Sequence, residues 1–303
     1  MKNKDYFTRF ESYLLTEKRV AKNTFDAYRR DLEQFSNFLI TKKLTLKKVE
    51  TKDLKDFLSH LHKEGIGARS AARKISTLKA FYLYLSEHYD TKNISLELIT
   101  PRMDKKLPKH LQEKEIEVLL ATAKEDSSDN GVRNCTMLYL LYVTGMRISE
   151  LVNLTVSSID FSSGFVTVPG KGGKERMVPL PHHMSELLKS YLKTIYPSLL
   201  TKKNTILKTD YLFPTFYAGK FKPMSRQMFW IYLKAVALQA GIDKDLSPHQ
   251  LRHSLATHLL KKGANLRSLQ MLLGHEQLTT VQIYTHVETE HLRKIYDKKH
   301  PRS

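Results

Sequence analysis

The 303-residue sequence predicts a mainly α protein with one small antiparallel β-sheet, divided into two domains at 1–105 and 106–303. Three observations carry that expectation. Apolar residues recur at helical spacing through the first hundred residues, with no stretch of period two. A segment with prolines near both ends and three lysines, PRMDKKLPKHLQ at 101–112, then interrupts the periodicity and reads as a linker. Beyond it helical patterns resume, broken between Ile159 and Leu180 by strand-like alternation.

In the first domain, Phe7, Phe10, Tyr13 and Leu14 mark one amphipathic helix. A second carries Phe25, Tyr28, Leu32, Phe35 and Leu39, with Asn23 or Thr24 as the expected cap. A third runs near Asp53–Leu61 and stops at Gly65; a fourth carries Ala72, Ile75, Leu78, Phe81, Tyr82 and Leu85. Between these two, Gly65-Ile66-Gly67-Ala68-Arg69-Ser70 leads to Arg73 and Lys74. Glycines that admit close approach, then hydroxyl and basic residues at a helix start, suit phosphate contacts. Arg29, Arg30, Arg69, Arg73, Lys74 and Lys79 are the DNA-binding candidates, although a solvated helix face would present the same residue types.

In the second domain, helices are expected over Glu113–Ala123 and Asn134–Val143, ended by Thr144-Gly145. Arg147 follows, and either points into a cleft or pairs with Glu150 three residues on. Residues 159–161, 165–168 and 176–180 read as three short antiparallel strands. The second turn, Pro169 to Lys174, is a glycine-rich lysine loop. It does not match the nucleotide-binding G-x-x-x-x-G-K-[ST] pattern and lies between strands, where that motif does not occur. A lysine here suits reaching a DNA phosphate or a leaving oxygen. Helices are expected at 184–196 and 226–240, while Pro197–Pro223 carries no legible pattern. Ser247 and Pro248 then make a helix start, as N-cap and first helical residue. His249 and Arg252 project together from the first turns, with Leu251, Leu255, Leu259 and Leu260 on the apolar side and Gly263 as the stop. A shorter helix through Leu266, Leu269 and Leu272 should end at Gly274, ahead of His275 and Tyr284.

The formal net charge is +19 and the pI about 9.7. Residues 1–105 hold 22 Lys and Arg against 14 Asp and Glu, and the remainder 28 against 17, so both halves are basic. Two basic domains suggest a grip on a polyanion from two sides, with nucleic acid the leading partner. A membrane surface is disfavoured because no polybasic amphipathic anchor stands out, and no apolar run is long enough to span a bilayer. Met1–Asp5 lacks the apolar core of a signal peptide, and the single Cys135 excludes an intrachain disulfide, which together fit a reducing cytoplasm. Zinc is disfavoured too. His249, His253 and His258 share one helix, but Gln250 stands where H-E-x-x-H requires glutamate.

The remaining pattern suits transfer at a phosphodiester. Such a reaction needs cations on the non-bridging oxygens, an in-line nucleophile and a proton donor for the leaving oxygen. Arginine binds phosphate oxygens in pairs and stays charged. Tyrosine can be the nucleophile if assisted, and histidine exchanges protons near neutrality.

H-x-x-R at 249–252, L-G-H at 273–275 and I-Y-T-H at 283–286 resemble the C-terminal signature of the tyrosine site-specific recombinases, the phage integrase family. Thr144–Leu151, TGMRISEL, resembles the family's first arginine motif, and Gly170–Arg176, GKGGKER, its lysine hairpin. Asn23–Leu32, Leu107–Leu111 and the tail from Tyr284 to Arg302 are similar to the Xer recombinases in particular, so the resemblance covers essentially the whole chain. It implies a two-domain C-shaped DNA clamp, with a helical core-binding (SAM-like) domain and a catalytic domain containing the three-stranded sheet. It also implies residue roles. Tyr284 is the nucleophile and Arg147 and Arg252 the phosphate clamp. Lys171 is the acid for the 5′-oxygen, His249 the proton acceptor and His275 a further phosphate donor. No metal, ATP or other cofactor is expected. Implied partners are a double-stranded recombination site, an XerC-like recombinase in a heterotetramer on two sites, and an FtsK-type DNA translocase as activator. The expected role is resolution of chromosome dimers at cell division through a Holliday junction. The segment Glu288–Lys298 is expected to form a helix that docks on a neighbouring subunit. A type IB topoisomerase, a phage- or transposon-type integrase and a non-catalytic DNA-binding protein are the competing readings.

Overall fold

Four helices make the first of two compact units, Met1–Lys106 and Leu107–Ser303, in a computed structural model that describes residues 3–101, 110–169, 175–202, 205, 206, 208–244, 246–265, 269, 272 and 273. Helices α1 (Asn3–Thr16), α2 (Lys22–Thr41), α3 (Thr51–Lys63) and α4 (Ala68–His88) close on an aromatic core. Phe7 stacks on Phe81 with ring centroids 5.0 Å apart, and Phe10 meets the same ring edge-on at 5.3 Å. Helix α3 starts with a reciprocal capping box, the Glu50 N–H donating to Asp53 Oδ2 at 2.8 Å. Gly65 follows the helix at φ 82°.

Helix α2 differs from expectation at its start. Neither Asn23 nor Thr24 caps it; Ala21 does, without a side-chain bond, its carbonyl accepting from the N–H groups of Thr24 and Phe25. Val20 and Phe25 flank that start and both pack against the core, the positions of a hydrophobic staple. Apolar burial sets the first turn here in place of a hydroxyl cap.

Lys74 is a second correction. Proposed as a phosphate contact, it is 2% exposed and donates to Asp31 Oδ1 at 2.8 Å, with Gln34 Oε1 as a further acceptor. Asp31, itself 3% exposed, also accepts from Thr77 Oγ1 at 3.0 Å and from Arg73. A buried carboxylate draws the lysine inward, because either charge alone would be stranded without water.

The second unit is built around α6 (Asp129–Thr144), whose residues Cys135–Thr144 are all buried. Helices α5 (Glu113–Ala123), α8 (His182–Thr194), α10 (Arg226–Gln239) and α11 (Pro248–Lys261) pack on it, with the short α7 (Ile148–Val152) directly after it and α9 (Tyr196–Leu200) following α8. The expected sheet forms in the order β1 (Ile159–Asp160), β2 (Phe165–Pro169), β3 (Glu175–Pro179), all antiparallel, with Val166 opposite Val178 and Val168 opposite Arg176. The unread 197–223 stretch takes in most of α9 and two antiparallel strand pairs, β4 (Thr201–Lys202) with β5 (Thr205–Ile206), and β6 (Pro214–Tyr217) with β7 (Lys220–Pro223). The β6–β7 turn places Ala218 at φ 51° and Gly219 at φ 77°, a two-residue turn of the kind Asn-Gly normally signals. No described helix is long and apolar enough to cross a membrane.

Asp31→Ala should cost about 3–5 kcal/mol because it leaves the Lys74 ammonium buried without its counter-ion. The double change Asp31→Leu with Lys74→Met should recover most of that, as read from chemical denaturation of the full chain.

Candidate active site

Three segments of the second unit bring arginines together: the break after α6, strand β3 and the start of α11. Helix α6 ends at Gly145, which sits at φ 59° and closes the helix through its N–H to the Leu141 carbonyl at 2.9 Å. A Cβ at Gly145 would lie 2.8 Å from the side chains of both Leu255 and Leu273, so glycine is needed for conformation and for space.

Arg147 is the N-cap of α7. Its N–H donates to Glu150 Oε2 at 2.7 Å and its guanidinium to Oε1 at 2.9 Å. The local pair therefore forms, yet the Arg147 side chain stays 47% exposed. Glu150, its side chain 9% exposed, has a second partner: Arg176 of β3 donates to Oε1 at 3.0 Å and Oε2 at 2.6 Å. Burial pushes the Glu150 carboxyl up, but the bonds from Arg176 and Arg147 prevail and hold it below its ordinary value. One carboxylate thus aligns two guanidiniums, one half-exposed and one buried. Sequence reading took Glu150 only as a local partner and missed Arg176. The usable signal was strand alternation, which places Arg176 on the same face as Val178 and so inside.

On α11, Ser247 Oγ accepts from the Gln250 N–H and Pro248 opens the helix, as expected. Arg252 is 5% exposed, and its two terminal nitrogens donate to the backbone carbonyls of Gly145 and Leu273. No carboxylate touches it among the described residues. Burial first, then the positive Arg147 and Arg176, pull its guanidinium down to about 10, against the opposing pull of Glu150; it stays charged at neutral pH. His249 is held below the ordinary histidine value by partial burial and then by Arg252, His253 and Arg147, so its imidazole is neutral at pH 7. Two guanidiniums meet the Glu150 carboxylate, and that of Arg252 is held by two carbonyls. Positive charge is thus fixed in place and partly desolvated, which favours an anion with several oxygens.

Lys171, His275 and Tyr284 lie outside the described residues. No group of three metal-ligating side chains occurs among those described. His258, the last member of the His249–His253–His258 series, is buried with both ring nitrogens engaged, at 2.9 Å from Tyr142 Oη and 2.8 Å from the Leu111 carbonyl oxygen. In the first unit Arg29, Arg30 and Arg69 are exposed on α2 and α4, and Lys79 is partly buried. Arg73 is 41% exposed while bonded to Asp31 and the Ala27 carbonyl.

A helical unit, followed by a helical unit with small antiparallel sheets and a fixed cluster of arginines, is an arrangement suited to holding a phosphodiester. The chain belongs to the phage integrase family and is a XerD-like tyrosine recombinase: the "Phage integrase family" profile matches residues 109–291 and the "Phage integrase, N-terminal SAM-like domain" profile residues 7–88. It is 43% identical over 293 residues to the tyrosine recombinase XerD of Staphylococcus saprophyticus subsp. saprophyticus, covering 96% of this chain and 97% of that one. The XerD of Staphylococcus aureus is 42% identical with the same coverage. Among solved structures, XerH bound to palindromic difH in a post-cleavage complex is 25% identical, with a TM-score of 0.69 over 95% of this chain and 83% of that one. A lambda integrase dimer bound to a COC' core site shares the fold at 20% identity, with a TM-score of 0.68 over 93% and 100%.

Gly145→Ala should cost about 1–3 kcal/mol in backbone strain alone and displace the carbonyl that holds Arg252. Denaturation and DNA-cleavage assays should both register it. In the DNA-free protein the His249 imidazole should titrate below the ordinary value of 6.5. A bound phosphodiester should move it upward, because an anion favours the protonated ring; imidazole NMR over a pH series reads both.

Proposed function

We propose that the Arg147–Arg252 cluster is the scissile-phosphate site of a Xer-type recombinase acting through a 3′-phosphotyrosyl intermediate. The observation that carries this is Arg252. Its guanidinium is buried, oriented by two carbonyls and set beside two further arginines that pull its pKa down. Tyr284 attacks the phosphorus, and the bond to the 5′-oxygen breaks. Arg147 and Arg252 hold the non-bridging oxygens, and His275 donates a further hydrogen bond there. His249, neutral at pH 7, takes the phenolic proton, and Lys171 supplies the proton that leaves with the 5′-hydroxyl. One ester replaces another, so the phosphotyrosine retains the bond energy for religation by a second 5′-hydroxyl, without ATP or a metal ion.

The first domain, 1–105, serves as the core-binding module, with Arg29, Arg30, Arg69, Arg73 and Lys79 towards the DNA backbone, and 106–303 is the catalytic domain. The double-stranded recombination site and multimeric assembly are supported by the DNA-bound XerH and lambda integrase complexes. The XerD likeness is what supports the further reading of a heterotetramer with an XerC-like recombinase, activation by an FtsK-type translocase, and resolution of chromosome dimers in the cytoplasm.

Covalent trapping on a nicked duplex carrying a chromosomal recombination site, with a chelator present, tests the reaction directly. Wild type should give a protein–DNA band on a denaturing gel, Tyr284→Phe should bind without giving one, and Arg252→Lys should lose most of it because one point charge replaces a two-pronged contact. A band from Tyr284→Phe would remove Tyr284 as nucleophile. Stimulation by an added XerC-like protein would support the two-recombinase system.

A further inference from the structure

The chain that leads into the second unit is held by side chains of α11. Leu111 is fully buried; its N–H donates to Ser254 Oγ at 2.8 Å and its carbonyl accepts from His258 Nε2 at 2.8 Å. Ser254 Oγ in turn donates to the Gln250 carbonyl at 2.8 Å. A carbonyl only accepts, so Nε2 must carry the hydrogen. Nδ1 is then the acceptor for the Tyr142 hydroxyl at 2.9 Å, and burial keeps the ring neutral in that tautomer. One imidazole therefore joins the incoming chain, α11 and α6.

Those two helices build the arginine site. Helix α6 ends at Gly145, whose carbonyl holds Arg252, and α11 carries His249 and Arg252 themselves. At about 100° per residue, Ser254 and His258 fall on the side of α11 away from Arg252 and His249, so neither needs to touch the phosphate. Packing of Leu251, Leu255 and Leu259 alone would tolerate small slides of α11; a buried and fully paired polar network admits one register.

We propose that Ser254 and His258 are positioning residues for strand cleavage: they latch the incoming chain at Leu111 to α11 and thereby set where Arg252 and His249 stand. The inference rests on the assignment of those two residues to the cleavage site. A misplacement of about 1 Å in a reacting array costs on the order of 100-fold in rate.

The test uses the full chain on recombination-site DNA, with single-turnover cleavage, site affinity and thermal unfolding measured for each variant. His258→Leu and Ser254→Ala should keep site affinity and slow covalent-complex formation by about 10- to 100-fold. His258→Gln, whose amide can still donate to the Leu111 carbonyl, should recover most of the rate. Tyr142→Phe removes a hydrogen bond from the same ring but leaves both Leu111 contacts, and should cleave close to the wild-type rate even if it melts earlier. Wild-type rates in His258→Leu and Ser254→Ala would overturn the latch. So would losses that simply track melting temperature across all four variants. Tight binding with no covalent complex from the wild type would overturn the cleavage assignment, and this inference with it.

Discussion

A guanidinium can be buried only where acceptors meet it, and the acceptors chosen for Arg252 shape the second unit. Both are backbone carbonyls, those of Gly145 and Leu273. Carbonyls fix the plane of the fork without cancelling its charge, whereas a carboxylate would do both. The consequence reaches backward along the chain. Helix α6 must end with its last carbonyl turned towards α11, which a left-handed Gly145 allows, and Leu255 and Leu273 close over the space a side chain would need. It also reaches forward, since the segment after α11 must return to offer the Leu273 carbonyl.

Glu150 solves the complementary problem. A largely covered carboxylate between Arg147 and Arg176 ties the start of α7 to β3, the strand that follows the lysine loop. Its desolvation opposes ionisation, and the bonds from the two arginines outweigh it. Arg147 is thereby pre-oriented while still half-exposed, so a ligand meets a cation whose conformational freedom is already spent. The arginines are held by two different devices, and neither requires the ligand.

Much of this was legible in the residues. The Ser247-Pro248 start, the His249–Arg252 spacing and the Gly145 break are local rules, and local rules survive folding. The three strands were visible because alternation and a glycine-rich turn agree. What escaped depends on distant neighbours. Lys74 looks like any helix-surface lysine until Asp31, 43 positions earlier, is found beside it. Arg176 and Glu150 are 26 positions apart, and nothing in either segment announces the pairing. The β6–β7 hairpin was missed for a local reason: its turn is Ala-Gly, and Ala218 adopts a positive φ without the residue type that normally signals one.

The two units hold their buried cations with different partners. Lys74 is sealed on the Asp31 carboxylate, with Gln34 as a further acceptor, while the 41% exposed Arg73 reaches the same carboxylate from the surface and Thr77 completes its hydrogen bonds. Arg147 and Arg176 meet on Glu150, and among the described residues Arg252, the most buried of the three, is bonded by backbone carbonyls. A fold selected for stability alone gains nothing from like charges held together and partly desolvated, since each raises the cost of the next. Strain of that kind persists where an incoming anion relieves it. On the function proposed above, the incoming anion is the phosphodiester whose bond is exchanged.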